Sequence, residues 1–402
     1  MGKEIELSTA ITDIAAGPFG SNLKVECFVP SGFPIIDGAN LKGYKVTDNI
    51  TKFVTEEKAR SLSRSIAHRG DVIVTISGTI GQIAYIPEDS LYDEYLCSQR
   101  QFRVSFDSSM VYVPYLVFYF HTFEGQNKIL SFANQTGVPA LSQPLKNFKK
   151  IRLCLPSLQE QRRNASIVET INDKIENNIK INDNLEQQAQ SYFQELFVDN
   201  ADPEWTTGTI SDLGAVVGGS TPSKAKPEYY TESGIAWITP KDLSINKSKF
   251  VSHGENDITE LGLKNSSAAI MPEGTVLFSS RAPIGYIAIA AGEVTTNQGF
   301  KSVVPKPEIG TPFVYFFLKN TLPVIEGMAS GSTFKEVSGS TMKNVPAVIP
   351  DAETLAKFSD FCAPIFAQQR ILEEQNQSLA TLRDNLLPKL MSGEIDVSAV
   401  QL

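Results

Sequence analysis

At 402 residues with 42% apolar content, the chain is too long for one ordinary domain and apolar enough to build sizeable cores, so two or three globular domains are expected. Its net charge of −9 argues against a lone non-specific DNA binder, whose affinity would come from neutralised phosphates. Sequence reading stays possible if basic faces lie on the domains and acid on helices, or if a partner supplies phosphate contacts. The cysteines, Cys27, Cys97, Cys154 and Cys362, form no CxxC pair and lie far apart. That spacing speaks against zinc and against a disulfide framework, and for small buried hydrophobes in a reducing cytosol.

From the N-terminus, Met1-Gly2-Lys3-Glu4-Ile5-Glu6-Leu7 lacks the apolar core of a signal peptide. Residues 71–76, 82–86 and 101–106 are short β-rich runs bounded by Gly, Ser and Asp. The longest apolar run, Val111 to Phe120, contains Pro114 and is too short to span a bilayer, so a soluble cytoplasmic protein with no membrane partner is expected. A basic stretch follows (Lys146, Lys149, Lys150, Arg152, Arg162, Arg163), and Ser157-Leu158-Gln159-Glu160 is a capping box. The helix it opens meets no proline or glycine before Pro203. Its acids, from Glu169 to Glu195, read as a solvated face. Two heptad rows run along it: Ile171, Asn178, Leu185, Tyr192, and Val168, Ile175, Asn182, Ala189, Leu196.

The second half repeats the first, roughly 200 residues on. Gly70-Asp71-Val72-Ile73-Val74 is matched by Gly274-Thr275-Val276-Leu277-Phe278, and Ile80-Gly81-Gln82-Ile83-Ala84 by Ile284-Gly285-Tyr286-Ile287-Ala288. Pro34-Ile35-Ile36-Asp37-Gly38-Ala39-Asn40-Leu41 resembles Ala236-Trp237-Ile238-Thr239-Pro240-Lys241-Asp242-Leu243. Asp351 is the candidate cap of a second long helix running toward Leu387, where Pro388 should limit it, with a kink or true start at Pro364. Phe358, Ile365, Leu372, Leu379 and Leu386 form one heptad row, and Phe361 and Leu382 the other, with Gln368 and Gln375 between them. Polar residues interrupt both seams near mid-length, which suits an antiparallel coiled coil whose register they fix. The fold class is therefore α+β: two similar α/β domains separated by two long helices, as an internal repeat. The expected layout is 1–156, domain one; 157–200, helix; 201–350, domain two; 351–392, helix; 393–402, tail.

This layout resembles the specificity subunit of type I restriction–modification systems over nearly the whole chain. The resemblance is carried by Leu155-Pro156-Ser157-Leu158-Gln159-Glu160-Gln161, by Trp237-Ile238-Thr239-Pro240-Lys241-Asp242-Leu243, and by Leu386-Leu387-Pro388-Lys389-Leu390-Met391-Ser392-Gly393-Glu394-Ile395. The second junction, Ile349-Pro350-Asp351-Ala352-Glu353, departs from the usual Pro-x-x-x-Glu-Gln pattern. The resemblance implies two target recognition domains, each reading half of a split site in double-stranded DNA, with the helices as a ruler. It implies as partners two adenine-methylating modification subunits and, for cleavage, ATP-dependent restriction subunits.

No catalytic centre is legible. There is neither an Asn/Asp-Pro-Pro-aromatic motif nor a cofactor or phosphate loop, and His68, His121 and His253 are scattered, so no cofactor is expected. Asp48 with Glu56-Glu57-Lys58 could suggest a nuclease but reads better as a solvated helix face, and Gly78-Thr79-Ile80-Gly81 as a tight turn. Base reading needs polar side chains on loops and strand ends. Scaffold should be shared between halves, and reading residues should differ. Gln99-Arg100-Gln101 before Phe102 is set against Asn297-Gln298-Gly299 before Phe300. The candidates are Lys24, Thr79, Gln99, Arg100, Gln101, Gln135 and Thr136 in the first half, and Lys241, Arg281, Asn297, Gln298, Ser332, Thr333 and Lys335 in the second. A coiled-coil scaffold with two protein-binding β domains is the alternative.

Overall fold

The structure, a computed structural model, describes residues 2–134, 137–331, 335–395 and 397. The chain divides into two compact units, Met1–Lys174 with Leu379–Leu402, and Ile175–Ser378.

In the first unit a four-stranded antiparallel sheet has the order Ile11–Ala16, Gln101–Phe106, Val72–Thr75, Ile83–Tyr85. A second sheet has the order Phe53–Val54, Phe33–Ile36, Glu94–Cys97, Ile66–His68, its middle two strands parallel. The second unit repeats this plan. Gly214–Gly218, Lys301–Pro305, Val276–Ser280 and Ile284–Ala290 form the first sheet, extended by Phe250–Val251. Tyr230–Thr231, Asn256–Ile258, Ile235–Ile238 and Thr295–Thr296 form the other. Each unit also has an antiparallel pair at its base, Lys3–Glu6 with Arg152–Leu155, and Thr206–Thr209 with Pro346–Ile349.

Strand alternation explains the cores. Val72 and Val74 face Phe102, Val104 and the helix Val113–His121, whereas Ile73 and Ala84 face the opposite cluster. The long apolar run is this buried helix. Among the described residues no helix is long and apolar enough to cross a membrane. The same alternation buries Leu153 and Leu155 and turns Cys154 outward, against the expectation that every cysteine is buried.

The first long helix, Leu158–Gln194, opens on the expected box: Glu160 N–H donates to Ser157 Oγ at 3.3 Å, and Ser157 N–H to Glu160 Oε2 at 2.9 Å. It continues into a wider turn, Glu195–Asp199. The second, Ala352–Ser392, is capped by Asp351, whose Oδ1 accepts the Thr354 N–H at 2.9 Å. It runs through both Pro364 and Pro388, so neither bounds it. Each ring lies on an exposed face, and beyond Pro388 the helix buries Leu390 and Met391 in the first unit's core, which offsets the lost backbone bond.

Within each unit the helices pair antiparallel. In the second, Asn178 Nδ2 donates to Asn376 Oδ1 at 2.8 Å, Gln369 Nε2 to the Asn182 carbonyl at 3.1 Å, and the Tyr192 and Phe361 rings meet with centroids 4.5 Å apart, tilted by 52°. In the first, Asn164 Nδ2 reaches the Leu390 carbonyl at 3.0 Å and Arg383 reaches Asn172 Oδ1 at 3.2 Å. The rows of the first helix match expectation. The second row of the other helix matches only in part: Phe361 meets Tyr192 yet, like Leu382, is exposed, and the buried or half-buried row is Cys362, Gln369, Asn376, Arg383, Leu390. Gln369 and Asn376, not Gln368 and Gln375, therefore form the polar layer. The helix also packs on its own domains, which turns its buried stripe by one position.

Candidate nucleic-acid interface

Both units gather loops at the same end of the first sheet. In the first unit, Ile76 N–H donates to the Arg100 carbonyl at 2.6 Å, Leu141 N–H to Ile76 at 2.8 Å, Gly78 N–H to Pro139 at 2.9 Å, and Gly17 N–H to Gln101 at 2.8 Å. These bonds bring four segments to one rim: the turns holding Thr79 and Arg100, the loop after Ile11–Ala16, and the stretch before Leu141. The second unit is built alike. Ser280 N–H donates to Gly299 at 2.7 Å, Val337 N–H to Ser280 at 2.9 Å, and Gly219 N–H to Phe300 at 3.4 Å.

Thr79 and Arg100 are exposed, and the Arg100 guanidinium passes over Gly78, whose φ of +89° needs a glycine. Lys24 is exposed on the neighbouring loop. Gln99 is committed elsewhere: its Nε2 donates to the Gly20 and Leu23 carbonyls at 2.8 and 2.7 Å, pinning that loop. Gln101 is 0% exposed, and its Oε1 accepts from Ser98 N and Oγ, so in this conformation it is scaffold and cannot reach a base edge. Gln135 and Thr136 lie outside the described residues. Phe19 and Val25, 77% and 80% exposed beside Lys24, were missed by a search for polar readers, although apolar groups can contact thymine methyls.

In the second unit Arg281 Nη1 lies 3.4 Å from Glu336 Oε2, and Lys301 Nζ 3.9 Å from Glu336 Oε1. Burial pushes the Lys301 ammonium below the ordinary lysine range, with Glu336 opposing and Arg281 reinforcing the shift. Asn297 Oδ1 accepts the Gly299 N–H at 2.8 Å, and Gln298 accepts from the Thr221 hydroxyl. Lys241 is exposed but paired with Glu255 at 2.5 Å. Lys335 is exposed; Ser332 and Thr333 lie outside the described residues. Sequence reasoning missed Lys301, Glu336 and Thr221. A lysine opening a strand of the buried sheet was the available signal.

Lys301 also corrects the repeat register. Val72 pairs with Val104 and Val74 with Phe102; Val276 pairs with Val303 and Ser279 with Phe300. The counterpart of Phe102 is thus Lys301, and that of Gln101 is Phe300. Aligning the two phenylalanines slips the strand by one residue, which exchanges its faces.

The nuclease reading loses its residues. Glu56 pairs with Arg60 at 2.8 Å on the short helix Glu56–Ser61, and Asp48 accepts from the Tyr95 hydroxyl and the Leu91 N–H.

Two copies of one α+β domain, each with half of two long helices and each raising a polar loop cluster at the same sheet end, define a duplicated recognition subunit. The chain belongs to the family of the type I restriction modification DNA specificity domain, whose pattern matches residues 29–187 and 203–382. It is 39% identical over 194 residues to the type I restriction enzyme MjaIX specificity subunit of Methanocaldococcus jannaschii, a match covering 46% of this chain but only 45% of that relative. With the HindI specificity subunit of Haemophilus influenzae it shares 22% identity over 392 residues, 78% of this chain and 84% of that one. The crystal structure of the type I S subunit from M. genitalium has the same fold, with a TM-score of 0.60 at 15% identity, covering 96% of this chain and 95% of that chain.

Proposed function

We propose that this chain is the sequence-reading, non-catalytic subunit of a type I restriction–modification complex. Domain one (1–156) and domain two (201–350) each read one half of a bipartite, asymmetric site in double-stranded DNA. The helices (157–200 and 351–392) set the spacer and dock two modification subunits, restriction subunits joining for cleavage; residues 393–402 are the tail. The observation that carries this is the duplicated rim: one scaffold, with Arg100, Thr79 and Lys24 in one copy and Arg281, Lys301, Asn297 and Gln298 in the other. Equal scaffolds with unequal polar groups read unequal half-sites. Arg100 and Arg281 are proposed as guanine readers, Lys24, Lys241 and Lys335 as phosphate contacts.

The test is to map methylated adenines genome-wide with wild-type chain, without it, and with Arg100→Ala or Arg281→Ala. Each substitution should cost about 1–3 kcal/mol at one base position, in different half-sites. Relaxation of the same position by both would refute the assignment.

A further inference from the structure

The second domain meets the long helices through a buried charge. Lys249, at the edge of the five-stranded sheet, has a side chain only 7% exposed. Its Nζ donates to Glu186 Oε2 of the first long helix at 2.6 Å and to Gln369 Oε1 of the second at 2.8 Å. The same nitrogen lies 3.6 Å from the centroid of the Phe366 ring and 4.5 Å from that of Tyr315. Glu373 of the second long helix accepts the backbone N–H of Lys249 at 2.7 Å and of Phe250 at 3.0 Å. Glu186 also accepts the Tyr315 hydroxyl at 3.1 Å and the Lys319 ammonium, both from the core helix Thr311–Met328. Sheet edge, core helix and both long helices thus converge on one ammonium.

Burying an ammonium is expensive, and a hydrophobe of similar volume would serve stability as well or better. What the ion network adds is direction. Apolar contact is non-directional and tolerates sliding, whereas an ammonium aimed at two fixed acceptors does not. The repeat shows that the fold does not require this solution. Ile289 N–H donates to the Lys249 carbonyl as Tyr85 N–H donates to that of Tyr44, so Tyr44 is the counterpart. Tyr44 packs edge-on to Phe118 at 4.8 Å, with the Arg383 guanidinium 5.7 Å above its ring and, among the described residues, no buried lysine ammonium there.

We propose that Lys249 is a positioning residue: it fixes how the second recognition domain is seated on the long helices, and through that seat restricts the spacer length the complex accepts. This rests on the reading of the helices as the ruler.

The test uses the full chain assembled with its modification subunits. DNA carrying both half-sites is selected from a library with randomised spacer length. Lys249→Met removes the ammonium while filling its channel. Lys249→Met with Glu186→Gln also removes the charge left behind, should the single variant fold poorly. Wild type should recover one dominant spacer. The variants should recover unchanged half-sites with the preference over spacers one base pair shorter or longer reduced by about tenfold or more. Retention of the wild-type preference would overturn the proposal, as would altered bases in the second half-site or loss of binding at every spacer by both variants. A wild-type chain indifferent to spacer would refute the ruler itself, which is a separate result.

Discussion

Lengthening both long helices by one heptad, at the seam between the compact units, tests the ruler most directly. The insertion points are Lys174/Ile175 and Ser378/Leu379, where neither unit is cut internally. Each unit keeps its own helix pairing beside the insertion, Asn172 with Arg383 in the first and Asn178 with Asn376 in the second. Seven residues keep the phase of the seam, so every existing layer can re-form. At about 1.5 Å per residue the rod grows by about 10 Å. At about 3.4 Å per base pair along a strand that is about 3 base pairs. With 10–10.5 base pairs per turn, the second half-site also moves by about 100° around the DNA axis. Overall affinity should therefore fall even at the best new spacing. Selection from a randomised-spacer library should return the original half-sites about 3 base pairs farther apart. Recovery of the original spacing at full affinity would show that the helices do not measure the gap.

Glu336 shields Arg281 and Lys301, so Glu336→Gln should tighten duplex binding by about 1 kcal/mol, roughly fivefold, in equilibrium titrations of the assembled complex. Weaker binding would mean that Glu336 itself accepts from a base. Asn178 is 0% exposed, so Asn178→Ala should lower stability by about 1–3 kcal/mol by stranding Asn376, whereas Leu at both positions should restore it. Equal losses in chemical denaturation of single and double variants would refute that pairing. Lys249, held down to about 8 chiefly by burial against the pull of Glu186, should titrate far below exposed lysines when its ¹³Cε signal is followed by NMR. Because the folded state releases this proton first, its contribution to stability should rise as pH climbs through about 8 toward the ordinary lysine range. A signal that titrates with the exposed lysines would contradict the burial.

Local signals were the ones the sequence carried clearly. The Ser157 box, the β runs at 71–76, 82–86 and 101–106, and the heptad rows of the first helix depend on neighbours a few residues away, and all appear. The errors needed tertiary information. Phe102 and Phe300 align by identity, yet pairing partners far along the chain decide which face each takes. Phe361 and Leu382 fit a heptad, yet the domains draw the second helix's buried stripe to Cys362 and Gln369. Gln101 resembles a surface reader by composition and position. Only the sheet shows its amide folded back onto Ser98. The Lys249 network joins residues more than 60 positions apart and left no local trace.

The two compact units differ in how the ribosome delivers them. Ile175–Ser378 emerges as one uninterrupted stretch and can close as soon as it is synthesised, whereas Met1–Lys174 must wait for Leu379–Leu402, made after the whole second unit. Leu387, Leu390, Met391 and Val397 complete the core that contains Leu7, Phe102 and Tyr115, and the Tyr115 hydroxyl reaches the Met391 carbonyl at 3.3 Å. Bringing them home closes a loop of some 200 residues, whose entropic cost grows only slowly with length. Until then the nascent N-terminal half exposes an unfinished apolar surface. A premature stop near Leu386 would therefore spare the second domain, which lies nearer in sequence, and cripple the first, some 200 residues away.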